Sequence, residues 1–186
     1  MGILKKKFLI DSKFEVKYFI ESTDFCEIYS AKNINSGVDV SLNIYNSAKI
    51  SRDDIDDSGE LKEISFLKMS IKGLPTYVDH GEFSNKLEKF KYIATNLISG
   101  ESVLDRMKRK GPYNEFDATS IIIQVLNIAY ILHCSEQPIL FNGLSLNNLM
   151  IDMSGPSEKI VIRNIINFRK FSDSFKVEYI DGVNPN

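Results

Sequence analysis

Polar and apolar positions alternate from Phe14 to Lys17 and then give way to an apolar run ending at Ile20, which predicts a strand over residues 14–20. Residues 27–31 are rich in β-formers, and a further strand over 38–45 follows an Asn35-Ser36-Gly37 turn, so the opening reads as an antiparallel meander. A polar stretch, 51–57, leads into a helical pattern over 58–69. Asp57 and Glu60 stand there at capping distance, and Leu61, Ile64 and Leu67 form a buried stripe. Strands over 76–79 and 90–97 follow, joined by a charged hairpin-like link at 81–89. The second half changes period. A basic helix over 102–110 stops at Gly111-Pro112. A helix over 116–133 follows, about 27 Å long at the α-helical rise. Ala118, Ile122, Val125, Ala129 and Leu132 make its stripe, which Ile121, Ile128 and Ile131 widen, so it needs cover on more than one side. Two short strands, 149–152 and 160–163, flank a turn at Ser154-Gly155-Pro156.

Composition narrows the class. With 43% hydrophobic and 26% charged residues in 186, the chain can build a core, which excludes wholesale disorder. Acids number 25 and bases 23, leaving no broad basic face and arguing against nucleic acid as a partner. Cys26 and Cys134 match neither a disulfide framework nor a zinc spacing, which points to a reducing, cytoplasmic setting. The most apolar stretch, 121–132, is too short to span a membrane and contains Gln124 and Asn127, so no membrane association is expected. His80 is isolated from metal-ligand patterns, Ser145 has no activating neighbour, and His133 reads as a packing residue.

The order of elements, five strands with one helix inserted, then helices, then a small hairpin, resembles the protein kinase fold. Residues 61–67 followed by 73–79 are similar to the kinase αC helix running into strand four, and 92–98 with 99–104 to strand five, the hinge and the start of αD. Residues 124–152 resemble the αE helix and catalytic loop, and 159–171 the strand leading into the Asp-Phe-Gly motif. The resemblance implies an α+β fold with a five-stranded antiparallel N-lobe carrying one αC-type helix, residues 1–97, and an incomplete, mainly helical C-lobe, residues 98–186.

Matched residue by residue, the chemistry is depleted. Kinases clamp phosphates under a glycine-rich loop, neutralise them with a lysine and metal ions, and orient the acceptor hydroxyl with an aspartate. Here Glu21, Thr23 and Cys26 stand at the three glycine positions, and Asn43 replaces the lysine. Glu63 keeps the αC glutamate position without that cation; it is expected to face solvent or cap an amide, with Lys17, Lys32 or Lys49 as substitute partners. Gly143 replaces the catalytic base, Asn148 retains a metal-ligand position, and Asn167 stands for the aspartate of Asp-Phe-Gly, followed by Phe168 and by Arg169, which is expected to fix its loop through an ion pair. Leu67, Phe141 and Phe168 resemble the hydrophobic spine that joins kinase lobes.

The resemblance therefore implies a catalytically inactive, truncated kinase-like domain with no required cofactor, acting as a regulatory or protein-interaction module. Its partner would be another protein, a C-terminal effector domain, or a second copy meeting the apolar face of the 116–133 helix. The alternative is an atypical ATP-binding kinase, with the adenine against Thr95, Asn96 and Leu97 and the backbone of Asn96 and Leu97 supplying hinge hydrogen bonds.

Overall fold

The computed structural model describes residues 2–23, 26–136, 138–141, 144–165 and 168–170. The chain opens with β1 (Leu9–Ile10), β2 (Phe14–Ser22), β3 (Glu27–Asn33) and β4 (Asp39–Asn46). After a 3-10 turn (Arg52–Asp54) come α1 (Lys62–Lys68) and the hairpin of β5 (Tyr77–Asn85) and β6 (Glu88–Asn96). These strands pair antiparallel in the order β1-β2-β3-β4-β6-β5. The chain continues through β7 (Gly100–Ser102), α2 (Val103–Lys110), α3 (Glu115–His133) and β8 (Ile139–Phe141). It ends its described part with β9 (Leu149–Asp152), β10 (Lys159–Ile162) and β11 (Phe168–Lys170). β10-β9-β7 make a small sheet, and β8 pairs with β11. The architecture is α+β, an antiparallel sheet carrying one helix followed by a mainly helical half. The expected five strands gain β1 as a short sixth at the edge.

The large sheet is covered on both faces. Phe14, Tyr29, Leu42, Phe90 and Tyr92 pack on one side, closed over by Leu4 from the N-terminal segment. Ile28, Tyr45 and Ile93 point to the other, toward Ile64 and Leu67 of α1. Successive side chains alternate faces, so β4 reads as almost continuously apolar. The β5–β6 hairpin is longer than expected: residues 81–85 and 88–89 are strand, and the turn narrows to Lys86 and Leu87. Phe83 explains it, since its ring stacks on Phe90 at 5.4 Å and draws the charged link into the ladder.

Two helices differ in detail from the sequence pattern. Asp57 and Glu60 form no capping pair. Instead Asp56 Oδ1 accepts the amides of Ser58 and Glu60, both at 2.9 Å, holding a turn that delays α1 to Lys62. In α3 the N-cap Asn114 accepts the Asp117 amide at 2.9 Å, and the buried seam is Val125, Ile128 and Leu132, packed on β8 and β10. Ile122 and Ile131 face out, and so does His133, contrary to its expected packing role. Hydrophobicity all round a helix gives its period but not its inner face. By length and apolarity α3 also suffices to cross a membrane, which corrects the expectation that this stretch is too short.

Candidate functional site

A cavity of about 340 Å³ opens between the large sheet and the β9–β10 unit. Its roof is Ile20, Ile28 and Asn43; Thr95, Asn96 and Leu97 at the end of β6 form its back, and Met150 and Arg163 its floor. The structure thus gathers four of the sequence-identified positions, Asn43, Thr95, Asn96 and Leu97. Asn148 lies just before β9, its amide bound to the Ser145 carbonyl and its own carbonyl accepting the Arg163 amide, both at 2.9 Å. Gly143 and Asn167 lie outside the described residues. Asn164, which the sequence reading passed over, follows directly on the residue tied to Asn148. The backbone register of β9 and β10 is what reveals it.

The chain passes from β6 to β7 without room for side chains at Gly100, because a Cβ there would overlap the Ile151 carbonyl of the adjacent β9. That close approach sets the back wall of the cavity. One expected ligand contact is taken up elsewhere. The Asn96 amide donates to the Thr76 carbonyl at 3.0 Å, while Asn96 Oδ1 accepts the Thr76 amide at 2.6 Å. The Asn96 N–H is therefore committed within the fold.

Glu63 does not face solvent and caps no amide. It is 4% exposed, and Tyr45 Oη donates to its Oε2 at 2.6 Å. Tyr45 sits two residues beyond Asn43 on β4, so both project to the same face of the sheet. None of the substitute lysines reaches Glu63: Lys17 pairs with Asp39 at 2.6 Å, and Lys32 and Lys49 are exposed. Burial pushes the Glu63 carboxyl up to about 7; the Tyr45 hydrogen bond works against that rise and the Asp54 charge adds to it. Burial, and then the Glu63 charge, raise the Tyr45 hydroxyl well above its ordinary range. Cys26 completes this interior cluster, its thiol pushed up to about 12 by burial and so kept protonated and inert.

Thr23 and Cys26, on either side of the β2–β3 connection, bond to each other. The Thr23 amide donates to the Cys26 carbonyl at 2.9 Å, and the Cys26 amide to Thr23 Oγ1 at 3.1 Å. Two amides that a phosphate cradle would present are spent inside the turn. From the same strand Glu21 reaches down to Arg163, with Arg163 Nη2 and Glu21 Oε1 at 2.6 Å. This ion pair spans the mouth of the cavity.

Among the described residues, this lining is poor in ligands for a magnesium nucleotide. The described lining carries amides, hydroxyls and a guanidinium but no carboxylate, and the neighbouring Glu21 is engaged by Arg163. Among the described residues no group of three His, Cys, Asp or Glu is placed to hold a metal. His80 instead sits between Tyr77 Oη at 2.6 Å and Glu60 Oε1 at 2.9 Å. The packing positions do come together. Phe141 and Phe168 meet edge to face at 5.0 Å, Leu67 lies in the same core, and Phe66, unforeseen from sequence, adds its ring 6.1 Å from Phe168. Arg169 makes its expected ion pair, with Asp54 at 2.8 Å.

No family model matches the chain. Among curated proteins, the CaM kinase-like vesicle-associated protein of Danio rerio is 28% identical over 160 residues, 82% of this chain and 33% of that protein. Its Xenopus laevis counterpart is also 28% identical over 82% of this chain and 38% of its own length. A calcium/calmodulin-dependent protein kinase of Emericella nidulans is 34% identical over 91 residues, covering 47% of this chain and 21% of its own. The chain spans roughly a third of the length of the first two relatives. With a strand-rich half, a helical half and a cleft between them, the chain has a kinase-like fold related to CaM-kinase-like proteins.

Proposed function

We propose that this kinase-like domain does not transfer phosphate and works as a regulatory or protein-interaction module. The Tyr45–Glu63 bond carries the reading. Where a kinase holds a lysine against the αC glutamate, this chain buries that glutamate against a phenol and leaves a neutral Asn43 beside the cleft. The Thr23–Cys26 bonds and the Glu21–Arg163 pair support the same conclusion. Incubation with γ-labelled ATP, Mg²⁺ or Mn²⁺ and a generic protein substrate is expected to give no transfer above a protein-free blank. Metal-dependent transfer that disappears in Asn148→Ala would overturn the reading.

A second reading has its own observation: the cavity is apolar where a planar ring would lie and ends at a cation, Arg163. It makes the chain a metal-independent nucleotide binder. Calorimetric titration with ATP and with adenosine in EDTA decides between the two. Saturable ATP binding that Arg163→Ala weakens supports the second reading, and the absence of saturable binding eliminates it.

A further inference from the structure

Along α3 the row of Asp117, Gln124, Ile128 and Ile131 borders a groove against the β9–β10 hairpin. Two cavities, about 600 Å³ and about 580 Å³, lie end to end there and share Gln124, Glu158 and Ile160. From Asp117 to Ile131 the helix runs about 21 Å, the reach of about six residues of extended chain. Ile121, Ile128 and Ile160 supply apolar floor. The outer edge of β10 is already occupied: the Ile160 amide donates to Gln124 Oε1 at 3.0 Å and the Ile162 amide to the Gly73 carbonyl at 2.8 Å. An occupant is therefore recognised by its side chains and not by adding a strand.

The charge of the groove selects that occupant. Its lining has four cationic side chains, Lys72, Arg106, Lys110 and Lys159, against two carboxylates, Asp117 and Glu158. Arg106 is shared between Glu158 at 2.6 Å and Glu101 at 2.9 Å, so the excess rests on the three lysines, and Asp117 accepts from the Asn114 side chain at 2.8 Å. Lys72, Lys110 and Lys159 are exposed, with no ion-pair partner among the described residues. The result is a local positive excess on a chain of net charge −2. Tyr113 lines the first cavity, with its Oη buried and without a hydrogen-bond partner among the described residues. This face is separate from the apolar row of Phe116, Ile122 and Leu126 on the other side of the helix.

We propose that the groove docks an extended segment of a partner protein in which aliphatic and acidic side chains alternate. The proposal rests on the interaction-module reading, to which it adds the surface and the chemistry of the partner. The test is fluorescence anisotropy on the intact chain, using a labelled peptide of about eight residues that alternates Glu and Leu, with the Lys and Leu analogue as control. The acidic peptide is expected to bind and the basic one not, with affinity falling as salt is raised. The triple variant Lys72→Glu, Lys110→Glu and Lys159→Glu, its fold checked by circular dichroism, is expected to lose about tenfold or more in affinity. Hydrogen exchange should show protection along 117–131 and 159–162. Equal binding of the two peptides, no saturable binding, an unaffected triple variant or protection confined to the Phe116 face would each overturn the proposal. So would sedimentation showing that a second copy fills the groove. Phosphotransfer by the chain would instead defeat the inactive-domain reading and leave the groove untouched.

Discussion

Burial raises the Glu63 pKa, and the direction of its effect on stability follows from that. The shift runs from the ordinary value of 4.5 to about 7, so in the interval between those values the folded chain holds a proton that the unfolded chain has released. Its contribution to stability is fully present below pH 4.5, declines as pH rises through 7, and is level above; the whole step is roughly 3 kcal/mol. Denaturant unfolding from pH 4 to 8 should show this decline, and Glu63→Gln should flatten it. Tyr45→Phe removes the donor that favours the carboxylate and should steepen the loss above pH 6, by about 1–3 kcal/mol at pH 8. Sequence alone located Glu63 on the helix, but its burial was out of reach. That depends on Tyr45 of β4 and on Cys26 just before β3, which meet it only in the fold. Asn43, Thr95, Asn96 and Leu97 were legible because each stands at a fixed offset within one element. Arg163 and Glu21 are far apart in the chain, and their pairing exists only across the cleft.

At the scale of elements, α3 offers a clear contrast between its two sides. Leu132 is fully buried in the seam, and Leu132→Ala should cost about 2–5 kcal/mol. Ile122 is 57% exposed, and Ile122→Ala should stay within about 0.5 kcal/mol. Urea titration of the two variants measures both; equal losses would mean that the seam lies elsewhere. The existence of α2 and α3 was readable because α2 is basic and stops at Gly111-Pro112, and α3 is long with an apolar stripe; in the fold Ser102 and Asn114 cap them. The strands β1, β8 and β11 were not, since two or three residues carry no period of their own and become strand only when a partner lies alongside. The start of α1 was misplaced for a related reason. An aspartate that closes a local turn competes with one that would cap a helix, and the local bond at Asp56 wins.

For the whole molecule, the consequential feature is that one apolar interior disregards the division between strand-rich and helical halves. Ile28 and Ile93 from the sheet, Phe66 from α1, and Leu132, Ile160 and Phe168 from the second half belong to a single cluster. Cooperativity is the outcome. Calorimetry should record one heat-absorption peak with equal van't Hoff and calorimetric enthalpies, since neither half can melt and leave its share of that interior dry. Expressed alone, residues 1–97 would present Ile28, Phe66 and Ile93 to water and should precipitate or remain molten, so any dissection of this protein has to keep both halves on one polypeptide.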